Sequence, residues 1–239
     1  MNTRHLFVDC GSNLGQGLIE FHRLFNMFNN NDWEIHSFEA NPDIKLDFRH
    51  VWNLQYFNSA VWVEDTTMNF LLAKRGQDYE PILGEWDLGS KAGELTRLGN
   101  HLQIEEIQNK NIIDALEKVV EVPAFDFSHY IKLMHEAKPP DKKIVVKMDV
   151  EGAEFKILRH LIDKGTIDLI DILFVETHQH TMPNEDEETT KVLLEKIKAK
   201  GVEVYREDHT PGGSQWQLED HPLVVDWKDL MIEDSEELK

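Results

Sequence analysis

The chain has 239 residues, of which 45 are acidic and 25 basic, so its formal net charge is −20. A chain of this length typically forms one α/β domain, and an apolar content of 41% is enough for a continuous core. The negative charge disfavours contact with nucleic-acid phosphates and anionic membrane surfaces, because like charges repel. We therefore expect neither nucleic acid nor a membrane among its partners.

The single cysteine, Cys10, excludes an intrachain disulfide and a metal site built from thiolates. We interpret it as a buried packing residue rather than a reactive thiol. Residues 1–4 lead into an apolar segment without the layout of a signal peptide, and no stretch has the roughly 20 apolar residues of a membrane span. A cytoplasmic protein is the expectation.

Strand and helix patterns alternate along most of the chain. Apolar residues recur at helical spacing over 18–28, directly after a glycine turn, and again over 153–162 and 185–200. The pair Asn41-Pro42 has the form of a helix start. Residues 61–72 alternate as in a hairpin or a sheet-edge extension. Apolar or β-branched runs predict the remaining strands at 6–9, 33–38, 54–57, 144–150, 167–175, 202–205 and 223–225.

This order predicts one doubly wound, Rossmann-like, mostly parallel sheet within a single domain over 1–239. The last two strands, joined through Gly212-Gly213, are expected to form an antiparallel edge. Five of the 13 glycines lie in residues 74–118, together with Tyr79 and Trp86. We interpret that segment as an insertion that caps the active site as a lid, or as a surface decoration, and residues 233–239 as a flexible acidic tail.

The turn after the first strand has the pattern D-x-G-x-x-x-G, from Asp9 to Gly15. Dinucleotide-binding enzymes use G-x-G-x-x-G, whose glycines let a pyrophosphate approach a helix N-terminus. S-adenosylmethionine has no phosphate but carries a cationic amino acid and a sulfonium, which an acid such as Asp9 suits. Glu39 ends the second strand, where a carboxylate can accept both ribose hydroxyls. The alternative is a tight turn followed by a solvated strand end.

Four segments together are typical of one protein family: FVDCGSNLG (7–15), SFEANP (37–42), NSAV (58–61) and VVKMDVEGAEFKIL (145–158). The most specific part is the strand-four signature K-x-D-x-E-G-x-E, which here runs from Lys147 to Glu154. These segments resemble the FkbM-type methyltransferases, within the class I Rossmann-like methyltransferases. The resemblance implies methyl transfer from S-adenosylmethionine to a hydroxyl of a small molecule or glycan, commonly a sugar.

The resemblance also implies which residues hold the cofactor. Asp149 would lie beside the reacting methyl group, at the carboxyl end of the fourth strand. The ribose would be held by Glu39, with Ala40 beside it, and the adenine would lie near Asn58, Ser59 and Ala60. The methionine part would be held by Asp9, Gly11, Ser12, Asn13 and Gly15.

A hydroxyl acceptor must lose its proton, which calls for a general base or a metal ion near the sulfonium. Asp149 follows the fourth strand, and Glu176, His178 and His180 follow the fifth, so adjacent parallel strands would bring these groups together. Asp149, Glu176 and His178 could then hold Mg²⁺ or Mn²⁺, or His178 could act as the base with Glu176 orienting its ring. The alternative is that Glu176 and His178 simply end a strand.

Two acids of the signature have simpler interpretations. Glu151 and Glu154 are typical of a helix N-terminus, where the macrodipole favours negative charge. Glu151 could instead pair with Lys147 or fix a substrate loop.

Two other functions stay open at this point. One is an oxidoreductase with an NAD-type nucleotide cofactor, which the missing glycine spacing disfavours. The other is a module that binds S-adenosylmethionine without catalysis, which the combination of Asp9, Glu39 and Asp149 disfavours. The motifs specify neither the acceptor nor the oligomeric state.

Overall fold

The computed structural model describes residues 4–45, 48–73, 101–102, 116–179, 182, 184–207 and 221–224. Its main sheet has six strands, which are β1 (His5–Cys10), β2 (Trp33–Phe38), β3 (Leu54–Phe57), β8 (Ile144–Met148), β9 (Ile172–Val175) and β10 (Glu203–Arg206). Their order in the sheet is β10-β9-β8-β1-β2-β3, and every neighbouring pair is parallel. The order reverses direction between β1 and β8, which is the switch point where open α/β sheets bind ligands.

Helices cover both faces of this sheet. They are α1 (Gln16–Phe25), α2 (Phe127–Ala137), α3 (Glu154–Lys164) and α4 (Glu187–Lys198), with a short 3₁₀ helix at Ile167–Leu169. Alternate residues of the central strands enter two separate apolar clusters: Phe7 packs with α1, whereas Leu6 and Val8 pack with the other three helices. Burial on both faces explains why the strand sequences are continuous apolar runs.

A second sheet packs beside the main one and has four strands, β4 (Ala60–Trp62), β5 (Thr66–Ala73), β6 (His101–Leu102) and β7 (Leu116–Asp126). Their order is β4-β7-β5-β6. Strand β7 pairs in parallel with β4 and antiparallel with β5, and β5 pairs antiparallel with β6. The buried residues of this second sheet, among them Trp62, Phe70 and Val122, join the apolar cluster of α2 and α3.

The α/β doubly wound fold class is confirmed, with a mostly parallel main sheet accompanied by antiparallel strands. Strand β10 pairs in parallel with β9, because α4 crosses over between them and returns the chain in the same direction. The reversed strand predicted at 223–225 is not formed at Leu223 and Val224, which lie at a turn. Val225 and the Gly212-Gly213 link lie outside the described residues. The antiparallel strands belong instead to the second sheet, and the alternation over 61–72 corresponds to β4 and β5, which flank β7 rather than form a hairpin with each other.

The helix predicted after Asn41-Pro42 is also wrong for the described residues of that link, which form turns. The side chain of Asn41 accepts a hydrogen bond from the Asp43 amide at 2.9 Å, so it closes a local turn instead of starting a helix.

Much of the predicted insertion lies outside the described residues. Within 74–118, the described parts are β6 and the first residues of β7, so the segment contributes strands to the second sheet. Tyr79, Trp86 and the acidic tail at 233–239 lie outside the described residues, and the lid stays a prediction. Across the described residues, no helix combines the length and apolar content that a membrane span requires.

Candidate active site

Four residues stand side by side at the carboxyl edge of the main sheet. The amides of Gly11, Glu39, Asp149 and Glu176 each donate to the last carbonyl of a neighbouring strand at 2.9 to 3.0 Å, which extends the parallel register one residue past the strands. Along the edge the order is Glu39, Gly11, Asp149 and Glu176. The row therefore crosses the switch point of the sheet, and each of its four residues is a predicted site residue that directly follows one of the strands β2, β1, β8 and β9.

The glycine turn allows the backbone after β1 to approach the backbone after β8 closely. Gly11 has a φ of +82°, and a Cβ atom there would lie 1.8 Å from the carbonyl oxygen of Asp149. Gly15 also has a positive φ, of +86°, where the turn meets the first residue of α1. The two glycines are thus needed for backbone geometry, because L side chains rarely adopt these conformations.

The carboxylate of Glu39 is fixed by the backbone around it. Its Oε2 accepts a hydrogen bond from the Asn13 amide and its Oε1 accepts one from the Asn41 amide, both at 2.7 Å. Burial raises the pKa of Glu39 above its ordinary value, although these two amides favour the charged form. Each oxygen keeps a further lone pair, so the group can also accept hydroxyl donors from a ligand.

Two of the predicted cofactor residues support the turn rather than face the open space. The Ser12 hydroxyl bonds to the Ser37 hydroxyl at 2.6 Å and is buried between β1 and β2. The side-chain amide of Asn58 donates to the Glu39 carbonyl at 2.8 Å. Both side chains therefore hold the segment that carries Glu39.

A cleft of about 600 Å³, including its open mouth, lies over this edge. It has an apolar side and a carboxylate side, as is usual for a cofactor site. Most of the predicted cofactor residues line it. The lining residues are Gly11, Asn13, Phe38, Glu39, Ala40, Ser59, Ala60, Val61, Phe70, Asp149, Val150 and Glu151.

Lys147 on β8 ties the glycine turn to the next strand. Its Nζ lies 3.3 Å from Asp9 Oδ1 and 3.2 Å from Asp149 Oδ2, and it donates to the Gly11 carbonyl at 3.0 Å. Burial lowers the pKa of Lys147, but the two carboxylates outweigh that effect and raise it above its ordinary value. Asp9 is fully buried, so it contacts Lys147 behind the turn instead of lining the cleft.

Three carboxylates lie around Nε2 of the His178 imidazole, and a fourth, Glu154, lies beside Nδ1. Nε2 is 3.2 Å from Glu176 Oε1, 3.4 Å from Glu151 Oε2 and 3.8 Å from Asp149 Oδ1. The structure thus brings Asp149, Glu176 and His178 together, as the strand order predicts, and adds Glu151. We call these four residues the acid–imidazole cluster. His180 lies outside the described residues.

One ligand atom from each of Asp149, Glu151 and His178 lies within 4.8 Å of the other two, a spacing that a single metal ion can bridge. The predicted metal set named Glu176 where this set has Glu151. Glu151 has a backbone φ of +55°, which is rare for a residue other than glycine. This conformation directs its carboxylate toward His178, at the end of β9. Oxygen and imidazole ligands of this kind suit Mg²⁺ or Mn²⁺.

Mutual repulsion and burial shift the pKa values in the acid–imidazole cluster. Burial, reinforced by neighbouring carboxylates, raises the pKa of Glu151 to about 7 against the pull of the His178 charge. Burial also raises the pKa of Asp149. Burial lowers the pKa of His178, but hydrogen bonds to Glu154 and Glu176 reverse that effect and raise it to about 11. Without a bound cation, His178 is therefore an imidazolium at neutral pH.

Glu154 is the site residue whose position the sequence least indicated. It is the first residue of α3, as expected of a helix N-terminal acid, but its side chain is fully buried and contacts His178. Lys147 likewise pairs with Asp9 and Asp149 rather than with Glu151. The signal for both was present in the K-x-D-x-E-G-x-E spacing, but that spacing does not say which charges meet.

Comparison with known proteins identifies one family model that matches most of the chain. The family model described as the Methyltransferase FkbM domain matches residues 9–204, a range that contains the cleft and the whole acid–imidazole cluster. No curated protein and no solved structure matches the chain. A methyltransferase family generally implies S-adenosylmethionine as the methyl donor, which decides against the NAD-type oxidoreductase. The chain belongs to the FkbM methyltransferase family.

Proposed function

We propose that the protein is an S-adenosylmethionine-dependent O-methyltransferase that acts on a hydroxyl of a small molecule or glycan, with a sugar as the favoured acceptor. One observation carries the proposal. Asp149 and Glu151 line the cofactor cleft and also face His178, so the cleft and the acid–imidazole cluster share a wall. A methyl donor in the cleft would thus lie next to groups that can deprotonate or orient an acceptor.

The cleft side would take the cofactor. When bound, S-adenosylmethionine would supply the methyl group that is transferred to the acceptor oxygen. Glu39 would accept the ribose hydroxyls, and the apolar side near Phe38 and Phe70 would cover the adenine, next to Ser59 and Ala60. The glycine turn would hold the methionine part through its backbone, with Asp9 acting on it through Lys147.

The cluster side would activate the acceptor. A divalent cation, Mg²⁺ or Mn²⁺, would lower the pKa of a bound hydroxyl. Asp149, Glu151 and His178 would hold it, since one ligand atom of each lies within 4.8 Å of the other two. Glu176, 3.2 Å from His178 Nε2, would be a further donor beside them. The base alternative is weaker, because an imidazole that faces three carboxylates holds its proton too tightly to accept another at neutral pH.

The test combines chelation with a substitution in the cluster. Formation of adenosylhomocysteine would be followed with a panel of deoxysugars, nucleotide sugars and glycans as acceptors, with and without EDTA. We expect EDTA to abolish turnover and Mn²⁺ to restore it. His178→Ala should lower turnover by at least about 10²-fold and leave the affinity for S-adenosylmethionine nearly unchanged.

His160 provides the matched control, because its Nε2 also pairs with a carboxylate, Asp126, at 2.9 Å but outside the cluster. His160→Ala should keep turnover within about twofold, since it leaves the acid–imidazole cluster intact. Full turnover by His178→Ala in the presence of EDTA would contradict both the cation hypothesis and the hypothesis that His178 is the base. Positioning of the acceptor would then have to account for the rate of methyl transfer.

A further inference from the structure

One carboxylate outside the cleft makes three contacts with the acid–imidazole cluster and its turn. Glu154 Oε1 accepts a hydrogen bond from the backbone amide of His178 at 2.6 Å, and Oε2 accepts one from the amide of Gly152 at 2.7 Å. The same Oε1 lies 3.3 Å from His178 Nδ1. Glu154 therefore joins the turn after β8 to the end of β9, with no exposed surface of its own.

These contacts determine which ring nitrogen faces the site. Backbone amides can only donate, so each Glu154 oxygen already acts as an acceptor for one of them. The remaining contact is favourable when Nδ1 carries a hydrogen and donates it to Oε1. Nε2 is then the nitrogen that is turned toward the carboxylates of Asp149, Glu151 and Glu176.

A helix N-terminal acid alone does not explain this geometry. Such an acid gains its dipole interaction at the surface, and burying a carboxylate completely requires partners that replace its water. Two of the three partners of Glu154 belong to His178, which lies 24 residues further along the chain. The contacts thus point to a role at His178 as well as at the helix.

We propose that Glu154 is a positioning residue, which orients the His178 ring and sets its tautomer so that Nε2 is the atom presented to the acceptor or cation. This inference rests on the proposed function, since it assigns the residue that prepares His178 for that role. Carboxylates that receive the second N–H of a metal-binding histidine have the same effect on ligand orientation.

The experiment is a double-mutant cycle read by Mn²⁺ binding. The dissociation constant of Mn²⁺ would be measured by electron paramagnetic resonance for the full-length wild type, Glu154→Gln, His178→Ala and the double variant. Glu154→Gln should weaken Mn²⁺ binding by about 10- to 100-fold, because the ring loses its fixed orientation. In the His178→Ala background the same substitution should have little effect, since Glu154 acts through the imidazole.

Glu34→Gln is the matched control, because Glu34 also pairs with a buried histidine, His36, at 3.0 Å on the far part of β2. It should leave the Mn²⁺ dissociation constant unchanged even if the protein becomes less stable. The positioning role is wrong if Glu154→Gln binds Mn²⁺ as the wild type does, or if the substitution weakens binding equally in both backgrounds. The proposed cation site would remain supported in either case, because the wild type still binds Mn²⁺.

If the wild type does not bind Mn²⁺, the proposed cation site is wrong. A second measurement then tests the positioning role by itself. Long-range ¹H–¹⁵N spectra report the shifts of both ring nitrogens of His178, with the signals assigned by their loss in His178→Ala. The cation-free imidazolium carries a hydrogen on both nitrogens, so the readout is the Nδ1 shift, which depends on the acceptor of its hydrogen bond. A change in Glu154→Gln that is larger at Nδ1 than at Nε2 supports positioning, and an unchanged Nδ1 shift overturns it.

Discussion

The two halves of the sheet's carboxyl edge hold their carboxylates by different means. On the β1–β2 half, Glu39 is fixed by two backbone amides. On the β8–β9 half, Asp149 and Glu176 face charged side chains, Lys147 and His178. Backbone donors have no titratable state, whereas a lysine or an imidazole brings a charge that a substitution can remove. The first half should thus behave as a preformed binding surface, and the second as a network that depends on each charge.

The largest effect is expected at Lys147, which links the two halves. Lys147→Met should lower the free energy of unfolding by about 3 to 5 kcal/mol, because it leaves Asp9 as a buried carboxylate without a cation. Chemical denaturation at pH 7.5 measures the change. Lys143→Met is the control: its partner is Asp171 at 2.8 Å, but half of the lysine side chain is exposed. That loss should stay below about 1 kcal/mol, and equal losses at the two lysines would contradict a special role of the buried charge.

Gly11→Ala should have the next largest effect, because it acts on the contact between the halves without changing any charge. A methyl group there overlaps the carbonyl oxygen of Asp149 and requires a positive φ, so we expect a loss of about 3 kcal/mol in the same unfolding experiment. Gly165 has a similar φ of +67° and nothing within 4 Å of its Cβ position. Gly165→Ala isolates the conformational cost, at about 1 kcal/mol, and an equal loss at Gly11 would show that the strands can separate freely.

Most of the main sheet could be predicted from the sequence, because parallel strands buried on both faces leave continuous apolar runs. The predicted bounds of β2 and β3 agree with the structure. The helix before β10 was predicted as well, and a strand–helix–strand order gives the parallel pairing of β9 and β10. The reversed strand expected at 223–225 is not formed at Leu223 and Val224, because a short apolar segment does not by itself determine whether a strand forms. The second sheet was missed for a related reason: β7 pairs with β4 and β5, more than 40 residues earlier in the chain, and local periodicity does not encode such pairings.

The site divides in the same way. Strand order predicts that Asp149, Glu176 and His178 converge, since the ends of adjacent parallel strands share an edge. Glu151 and Glu154 follow one strand end closely, and their directions depend on the positive φ of Glu151 and of Gly152, at +55° and +103°. That reversal turns Glu151 toward His178 Nε2 and leaves Glu154 beside Nδ1. Residue spacing alone could not distinguish this arrangement from two solvated helix-start acids.

Glu39 tests the half that is held by the backbone. Glu39→Ala should weaken S-adenosylmethionine binding by about 1 to 3 kcal/mol, the cost of losing a charged hydrogen-bond acceptor. Isothermal titration measures the dissociation constant, and circular dichroism checks that the variant folds. Glu34→Ala, at the other end of the same strand, should bind as the wild type does. An unchanged dissociation constant in a folded Glu39→Ala variant would remove Glu39 from the ribose site.

The smallest expected effect is a pH dependence of cofactor binding that arises at the same residue. Burial raises the pKa of Glu39 above its ordinary value of about 4.5, so its carboxylate becomes protonated at a pH where exposed glutamates are still charged. Protonation removes an acceptor for the ribose hydroxyls, so affinity must fall as the pH falls toward the pKa of the free protein. At that pKa the dissociation constant should be about twice its value at pH 7.5, since half of the protein is in the weakly binding form. Titrations from pH 7.5 downward, over the range in which the wild type stays folded, measure the change, and Glu39→Gln, which has no carboxyl group to ionise at this position, should give a flat profile. A parallel rise of the dissociation constant in the wild type and in Glu39→Gln would assign the pH dependence to another group.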